Sequence, residues 1–196
     1  PISTKIKMAV QQVGMALLDI VPLRVEHSSK AEYGYRLSVP GNPAPVKGSL
    51  PPLHGVQPAR GALRGLIAAC LAQVQTNIPG ALRGEDEEYL HQVRVGLRRL
   101  RVMLAMVRRF GDDAESVALR EKVAHLCVEL GHAREWDVFV TQTLASLAPR
   151  FSEHAGLHKL IQAGEKQRKA WHAGTVASLS SPDFQRLLLR LGAWLQ

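Results

Sequence analysis

Between His91 and Arg109 the chain carries six arginines and no acidic residue. Advancing about 100° per residue along a helix brings His91, Arg94, Arg98 and Arg101 within about 80° of one another. Arg99 lies about 100° away from that group and points elsewhere. A solvated helix usually offsets its cations with acids three or four residues away, and like charges at that spacing cost a few tenths of a kcal/mol per pair. A bound polyanion removes that cost and accepts charge-assisted, often bidentate, hydrogen bonds from guanidinium groups. His91 heads the row as a further donor. The bland alternative is a solvated basic face, or ion pairs to acids on neighbouring helices. The acids at 85–88 and the bases Arg108 and Arg109 sit at helix ends that the macrodipole favours, so they carry no functional weight.

A second cluster runs Leu130-Gly131-His132-Ala133-Arg134-Glu135-Trp136-Asp137-Val138-Phe139. Gly131 is expected to end one helix, with Arg134 and Asp137 flanking the start of the next. Arg134 is then either an anion ligand or the partner of an acid, and Asp137 is better placed to orient an arginine than to touch an anion. Arg60, Arg64, Lys159, Lys166, Arg168 and Lys169 read singly as solvated surface. Together they could complete a cationic lining if their helices face the one bearing His91. His154 and His158 have metal-ligand spacing without a third ligand in register, so no metal site is expected. No GxxxxGK[ST], GxSxG or HExxH occurs, so P-loop, hydrolase-elbow and zincin readings lack support and no catalytic residue is assigned.

These side chains need helices to hold them. Leu90, Val93, Leu97, Leu100, Leu104 and Val107 share a stripe separate from the arginines and face a core. From Ala59 onward the pattern predicts an all-α bundle with helices over Ala59–Asn77, Glu85–Phe110, Asp113–Leu130, Trp136–Leu147, His154–Leu179 and Asp183–Leu195. Breaks are placed at Pro79-Gly80, Gly111, Gly131, Pro149 and Pro182, and Ser181-Pro182 reads as an N-cap followed by proline at the first helical position. Residues 40–57 form a linker rich in proline and glycine, since such density denies helix and sheet their N–H donors. Residues 1–39 hold a helical pattern (Ile6, Val10, Val13, Leu17, Leu18) up to Pro22 and a strand-like stretch from Glu32 to Val39. This small helix-plus-strand remnant is expected to need partners outside the chain.

With 196 residues, 46% apolar and only 5% aromatic, the chain suits helices packed with Leu, Val and Ala. Its formal charge of +8 attracts anions without choosing among them. Cys70 and Cys127 stand apart in apolar helical segments, as small core residues of a reducing, cytoplasmic setting. No apolar run is long enough for a membrane span. The start at Pro1 suggests a piece of a larger polypeptide.

The run His91-Gln92-Val93-Arg94-Val95-Gly96-Leu97-Arg98-Arg99-Leu100-Arg101 resembles the signature helix of the CHAD family, the conserved-histidine α-helical domain, H-x-x-R-x-x-x-R-R-L-R. The segment from Leu130 to Val138 is similar to that family's L-G-x-x-R-D-x-D-V element, with Glu135 in place of its first Asp, and Ser180 to Phe184 followed by an apolar helix also fits. The resemblance covers about residues 58–196. It implies two similar helical bundles around a basic channel, of which this chain holds the first, and binding of inorganic polyphosphate by His91, Arg94, Arg98, Arg101 and Arg134. It further implies a cytoplasmic location with polyphosphate granules. The stretch from Ser29 to Leu37 resembles the last strand of a CYTH domain, the triphosphate tunnel fold often fused ahead of CHAD, and gives Lys30 a candidacy as phosphate contact. The E-x-E-x-K strand that supplies metal and phosphate ligands in that family is not in this chain, so hydrolysis by it is not expected. Mg or Mn would belong to a full-length CYTH domain. The alternatives are a fragment of an inorganic triphosphatase, a nucleic-acid or general polyanion binder, and a protein-docking bundle. Base readout is not expected, because stacking aromatics beside the arginines are lacking.

Overall fold

The structure is a computed structural model that describes residues 2–26, 28–38, 43–52, 58–84, 86–111 and 113–195. Among the described residues it is helical with no strand: α1 (Ile2–Ile20), α2 (Lys30–Ser38), α3 (Ala59–Arg83), α4 (Glu87–Val107), α5 (Ala114–Val138), α6 (Ala145–Leu147), α7 (Ala155–Ser180) and α8 (Pro182–Trp194). The expected bundle is therefore present, and several of its boundaries differ from expectation for identifiable reasons.

The strand expected from Glu32 to Val39 is instead α2, while Val39 itself lies outside the described residues. Ser29 and Glu32 form reciprocal capping bonds: the Ser29 N–H donates to Glu32 Oε2 at 2.7 Å, and the Glu32 N–H donates to Ser29 Oγ at 3.2 Å. This is the S-x-x-E arrangement of a helix N-terminus, and with no neighbouring strand to pair with, local capping decides. The preceding helix also finds a partner within the chain. Leu18 of α1 is buried, Gly14 lies against Leu189 of α8, and Asp19 pairs with Arg186.

The break expected at Pro79-Gly80 does not occur, and α3 continues to Arg83. Ile78, Gly80 and Ala81 are buried there, with the Tyr89 ring seated against Gly80. That packing offsets a helix-interior proline, which costs about 3 kcal/mol. The actual stop is Gly84, left-handed at φ 68°, whose N–H bonds the Gly80 carbonyl at 3.2 Å. Gly131 does not end a helix either. Leu126, Leu130, Ala133 and Asp137 keep one buried face of α5 across it, and continuity of that face outweighs the roughly 1 kcal/mol a mid-helix glycine costs. Beyond Val138 the backbone widens into a π-helical turn over Phe139–Leu144, which leads into α6.

Three other ends follow their sequence signals. Asp86 caps α4 by accepting from the Glu88 N–H at 2.8 Å. Asp113 and Ser116 form a capping box on α5. Ser181 accepts from the Phe184 N–H at 3.2 Å, with Pro182 at the first position of α8.

The core stripe of α4 is buried as its periodicity predicts, from Leu90 at 4% exposure to Leu104 at 0%. Opposite the arginine row, α4 approaches α3 at Gly96, where a β-carbon would stand 2.7 Å from Val74 Cγ2 and 3.3 Å from the Cys70 carbonyl. Only a residue without a side chain allows that approach. Residues 43–52 form neither helix nor strand but are held against α3: the Asn77 side chain accepts from the Val46 N–H at 2.9 Å and donates to its carbonyl at 2.8 Å. The Tyr89 hydroxyl donates to the Pro43 carbonyl. Among the described residues no helix is long and apolar enough to cross a membrane.

Candidate anion-binding face

The buried stripe of α4 fixes the rotation of the helix, and that rotation presents the arginine row to the outside. His91 and Arg94 are partly buried, whereas Arg98 and Arg101 are exposed. Arg94 sits deepest. Burial is the main influence that holds its guanidinium below the ordinary arginine value; Arg134 on α5 adds to this, Glu135 opposes it, Arg98 adds again, and Asp137 opposes. Sequence reasoning placed Arg134 beside the row only through resemblance; the packing of α5 on α4 brings it there physically.

Cys127 of α5 marks where the row lies. Burial pushes its thiol up, while Arg101, Arg94 and Arg98 pull it down in that order, so all three guanidinium groups act on one point of α5. Both cysteines are free thiols. None of Arg94, Arg98 and Arg101 has an ion pair or hydrogen bond with a carboxylate among the described residues. Among the described residues, the alternative in which neighbouring helices pair these three arginines with acids is therefore not seen, although Glu135 and Asp137 attract Arg94 from a distance.

Arg134 differs from the other arginines. Its Nη1 lies 3.9 Å from Glu87 Oε2, a loose pair in which the carboxylate is half exposed. Asp137 does orient an arginine, as its type suggested, but from within α5 and not from a capping turn. Its carboxylate is buried at 5% exposure, and Oδ1 lies 3.7 Å from Arg168 Nη1. Arg168 also donates from Nε to Glu165 Oε2 at 2.9 Å, the first cause of its raised pKa. Arg99 turns away from the row to Gln73 on α3, at 3.3 Å. Arg64 packs over the Trp194 ring at 5.9 Å and donates to its carbonyl at 3.4 Å, a structural use. Lys30, Arg60, Lys159, Lys166, His154 and His158 are exposed, and no group of three metal-type ligands occurs among the described residues.

One feature escaped sequence reasoning. A cleft of about 530 Å³ opens at the N-terminal end of α4, walled by Glu87 and Leu90 of α4, Asp137 of α5, Thr141 and, on α7, Arg168, Lys169 and His172. Arg168 and His172 are four residues apart and so share a helix face. That spacing was legible, but nothing in the sequence said that α7 faces the start of α4.

Fold and site together define an all-helical bundle with a cationic helix face whose Arg94, Arg98 and Arg101 have no carboxylate ion pair among the described residues. The family model of the CHAD domain matches residues 65–196. The fold also matches the crystal structure of the CHAD domain from the plant Ricinus communis, with a TM-score of 0.67 and 34% identity over 78% of this chain and 50% of that one. The chain belongs to the CHAD family. It spans about half the length of that solved chain. A search of curated proteins finds no match. The family match begins at Gly65 and leaves the CYTH-like reading of the leading segment without support.

Proposed function

We propose that this chain binds inorganic polyphosphate along the α4 face, with His91, Arg94, Arg98, Arg101 and Arg134 as donors to phosphoryl oxygens, as the non-catalytic accessory module of a cytoplasmic CYTH–CHAD protein. The observation that carries the reading is the absence of a carboxylate partner, among the described residues, for Arg94, Arg98 and Arg101 on one helix face. Three like charges held together by packing gain most from a ligand that brings a regularly spaced negative charge to each. A repeating phosphate chain has that charge density, and guanidinium forks match its oxygens in pairs. Membership of the CHAD family supports the same assignment.

Affinity should fall steeply as salt rises, because bound phosphates displace condensed counterions, by analogy with nucleic-acid backbones. The test is a titration of long-chain polyphosphate into wild type and Arg94→Ala/Arg98→Ala at matched ionic strength. Loss of about 1.5–3 kcal/mol per arginine, as for hydrogen bonds to charged groups, is expected with unchanged helical circular dichroism. Equal affinities in the two proteins would refute the assignment.

A further inference from the structure

The arginine row and the cleft at the start of α4 differ in one respect that a phosphate chain would distinguish. The row is all donors, whereas the cleft mixes the donors Arg168, Lys169 and His172 with the carboxylates of Glu87 and Asp137. Asp137 is buried and engaged with Arg168, so its charge is largely answered within the protein. Glu87 is exposed, lies on the same side of α4 as the row one turn before His91, and reaches Arg134 only loosely at 3.9 Å. It therefore stands where the row meets the cleft. Lys169 and His172 have no carboxylate partner among the described residues.

Internal phosphates of a linear chain have a single, strongly acidic ionisation. At neutral pH they offer only acceptor oxygens, and a carboxylate repels them. A terminal phosphate has a second ionisation near pH 6, by analogy with phosphate monoesters, so at about that pH and below it alone presents a P–OH donor beside its acceptor oxygens. A site with cationic donors and one exposed, only loosely paired carboxylate acceptor suits that group and disfavours an internal one.

Resting on the polyphosphate reading above, we propose that the cleft is an end-group subsite: Lys169 and His172 donate to the oxygens of a terminal phosphate, and Glu87 accepts its P–OH. The chain then lies along Arg94, Arg98 and Arg101 with one terminus at the start of α4. Binding is thereby oriented, and a chain without a free end loses the cleft contact while keeping the row.

The experiment, run near pH 6 so that the terminal P–OH is populated, compares a linear polyphosphate with the same chain whose terminal phosphates have been converted to methyl phosphodiesters, each titrated into the protein by calorimetry. Wild type should bind the linear chain roughly tenfold tighter, as one charge-assisted hydrogen bond provides. Lys169→Gln/His172→Gln should bring that ratio close to one without weakening the capped chain. Glu87→Gln, a change at an exposed position, should close the gap from the other side by tightening the capped chain. A ratio that persists in both variants would mean that end charge acts on the whole face, and it would overturn the proposal. So would equal affinity of wild type for the two chains, with both lost in Arg94→Ala/Arg98→Ala; the row would then stand without the end subsite. Failure of wild type to bind either chain would remove both readings.

Discussion

Replacing Arg94 by methionine separates what the arginine row does for the fold from what it does for a ligand. Arg94 is the partly buried arginine of the row, and its guanidinium is disfavoured by burial first and by Arg134 next. Methionine keeps helix propensity close to that of arginine and an unbranched stem to cover the same apolar surface. The substitution removes the repulsion with Arg98 one turn away, worth about 0.2–0.5 kcal/mol. It also removes the repulsion with Arg134, of similar size for a partly exposed pair, on the order of 0.2–1 kcal/mol, along with part of the desolvation penalty. Attraction to Glu135 and Asp137 is lost as well and offsets some of the gain. The net expectation is a ligand-free variant more stable by about 0.5–1 kcal/mol, or about 1–4 °C in Tm for a chain of this size. In wild type, polyphosphate at about a hundredfold excess over Kd should add about 2.7 kcal/mol, and most of that should be missing in the variant. The order of melting should therefore reverse: variant above wild type alone, wild type above variant with polyphosphate. Differential scanning fluorimetry with and without ligand reads both halves. Raising the salt toward about 1 M, where the screening length is near 3 Å, should narrow both differences. A ligand-free variant that melts lower, or one that gains as much from polyphosphate as wild type, would refute the account of Arg94 as a desolvated cation kept for an anion.

Two further outcomes follow from the elements that hold the row. Gly96→Ala places a methyl group 2.7 Å from Val74 Cγ2 and against the Cys70 carbonyl; overpacking of about 1–3 kcal/mol outweighs the helix-propensity gain of about 1 kcal/mol, so urea unfolding should show net loss, partly restored by Val74→Ala. Asp113 accepts the Ser116 N–H, the main cause that holds its carboxyl below the ordinary value of 3.8; because the folded-state pKa is the lower one, its contribution is fully present above that ordinary value and lost as pH falls through the folded one, so Asp113→Ala should cost about 1 kcal/mol at neutral pH and nothing extra once wild-type Asp113 is protonated, as pH-dependent unfolding will show.

The sequence was most legible where one period ran without interruption. Leu90 to Val107 announced both the core side of α4 and, by exclusion, the arginine side, and every member of that stripe is buried. Legibility failed where a local signal competed with a tertiary one. Pro79-Gly80 and Gly131 are genuine helix-breaking signals, but the Tyr89 ring against Gly80 and the buried face from Leu126 to Asp137 override them. Such packing is decided only when the helices assemble, and the glycine and proline signals themselves do not disclose it. The strand expected after Glu32 failed for the opposite reason, since the capping box at Ser29 and Glu32 is itself a local signal and outweighs the strand-like stretch that follows it. For the site, residue types and spacing gave the row on α4, because one helix suffices to align it. They could not give the cleft, because Glu87, Asp137 and His172 meet only when three helices are assembled.

That assembly explains why a row of like charges can exist without a ligand. Each of the six apolar side chains of the α4 stripe contributes about 1.5–3 kcal/mol by leaving water, against a few tenths for each like-charge pair on the other side. Packing therefore exceeds the electrostatic cost by about an order of magnitude, and α4 has no need of an anion in order to fold. Gly96 strengthens this separation: it lies about 180° around the helix from the centre of the row, so the close approach to α3 at that glycine clamps α4 from behind. A face held in this way would bind a ligand without first being ordered, and ordering is a principal cost of association. On the proposed reading the arginines form a preformed anion site: the repulsion the core tolerates in the empty protein would be relieved on binding and would add to the affinity for a ligand able to reach all of them at once.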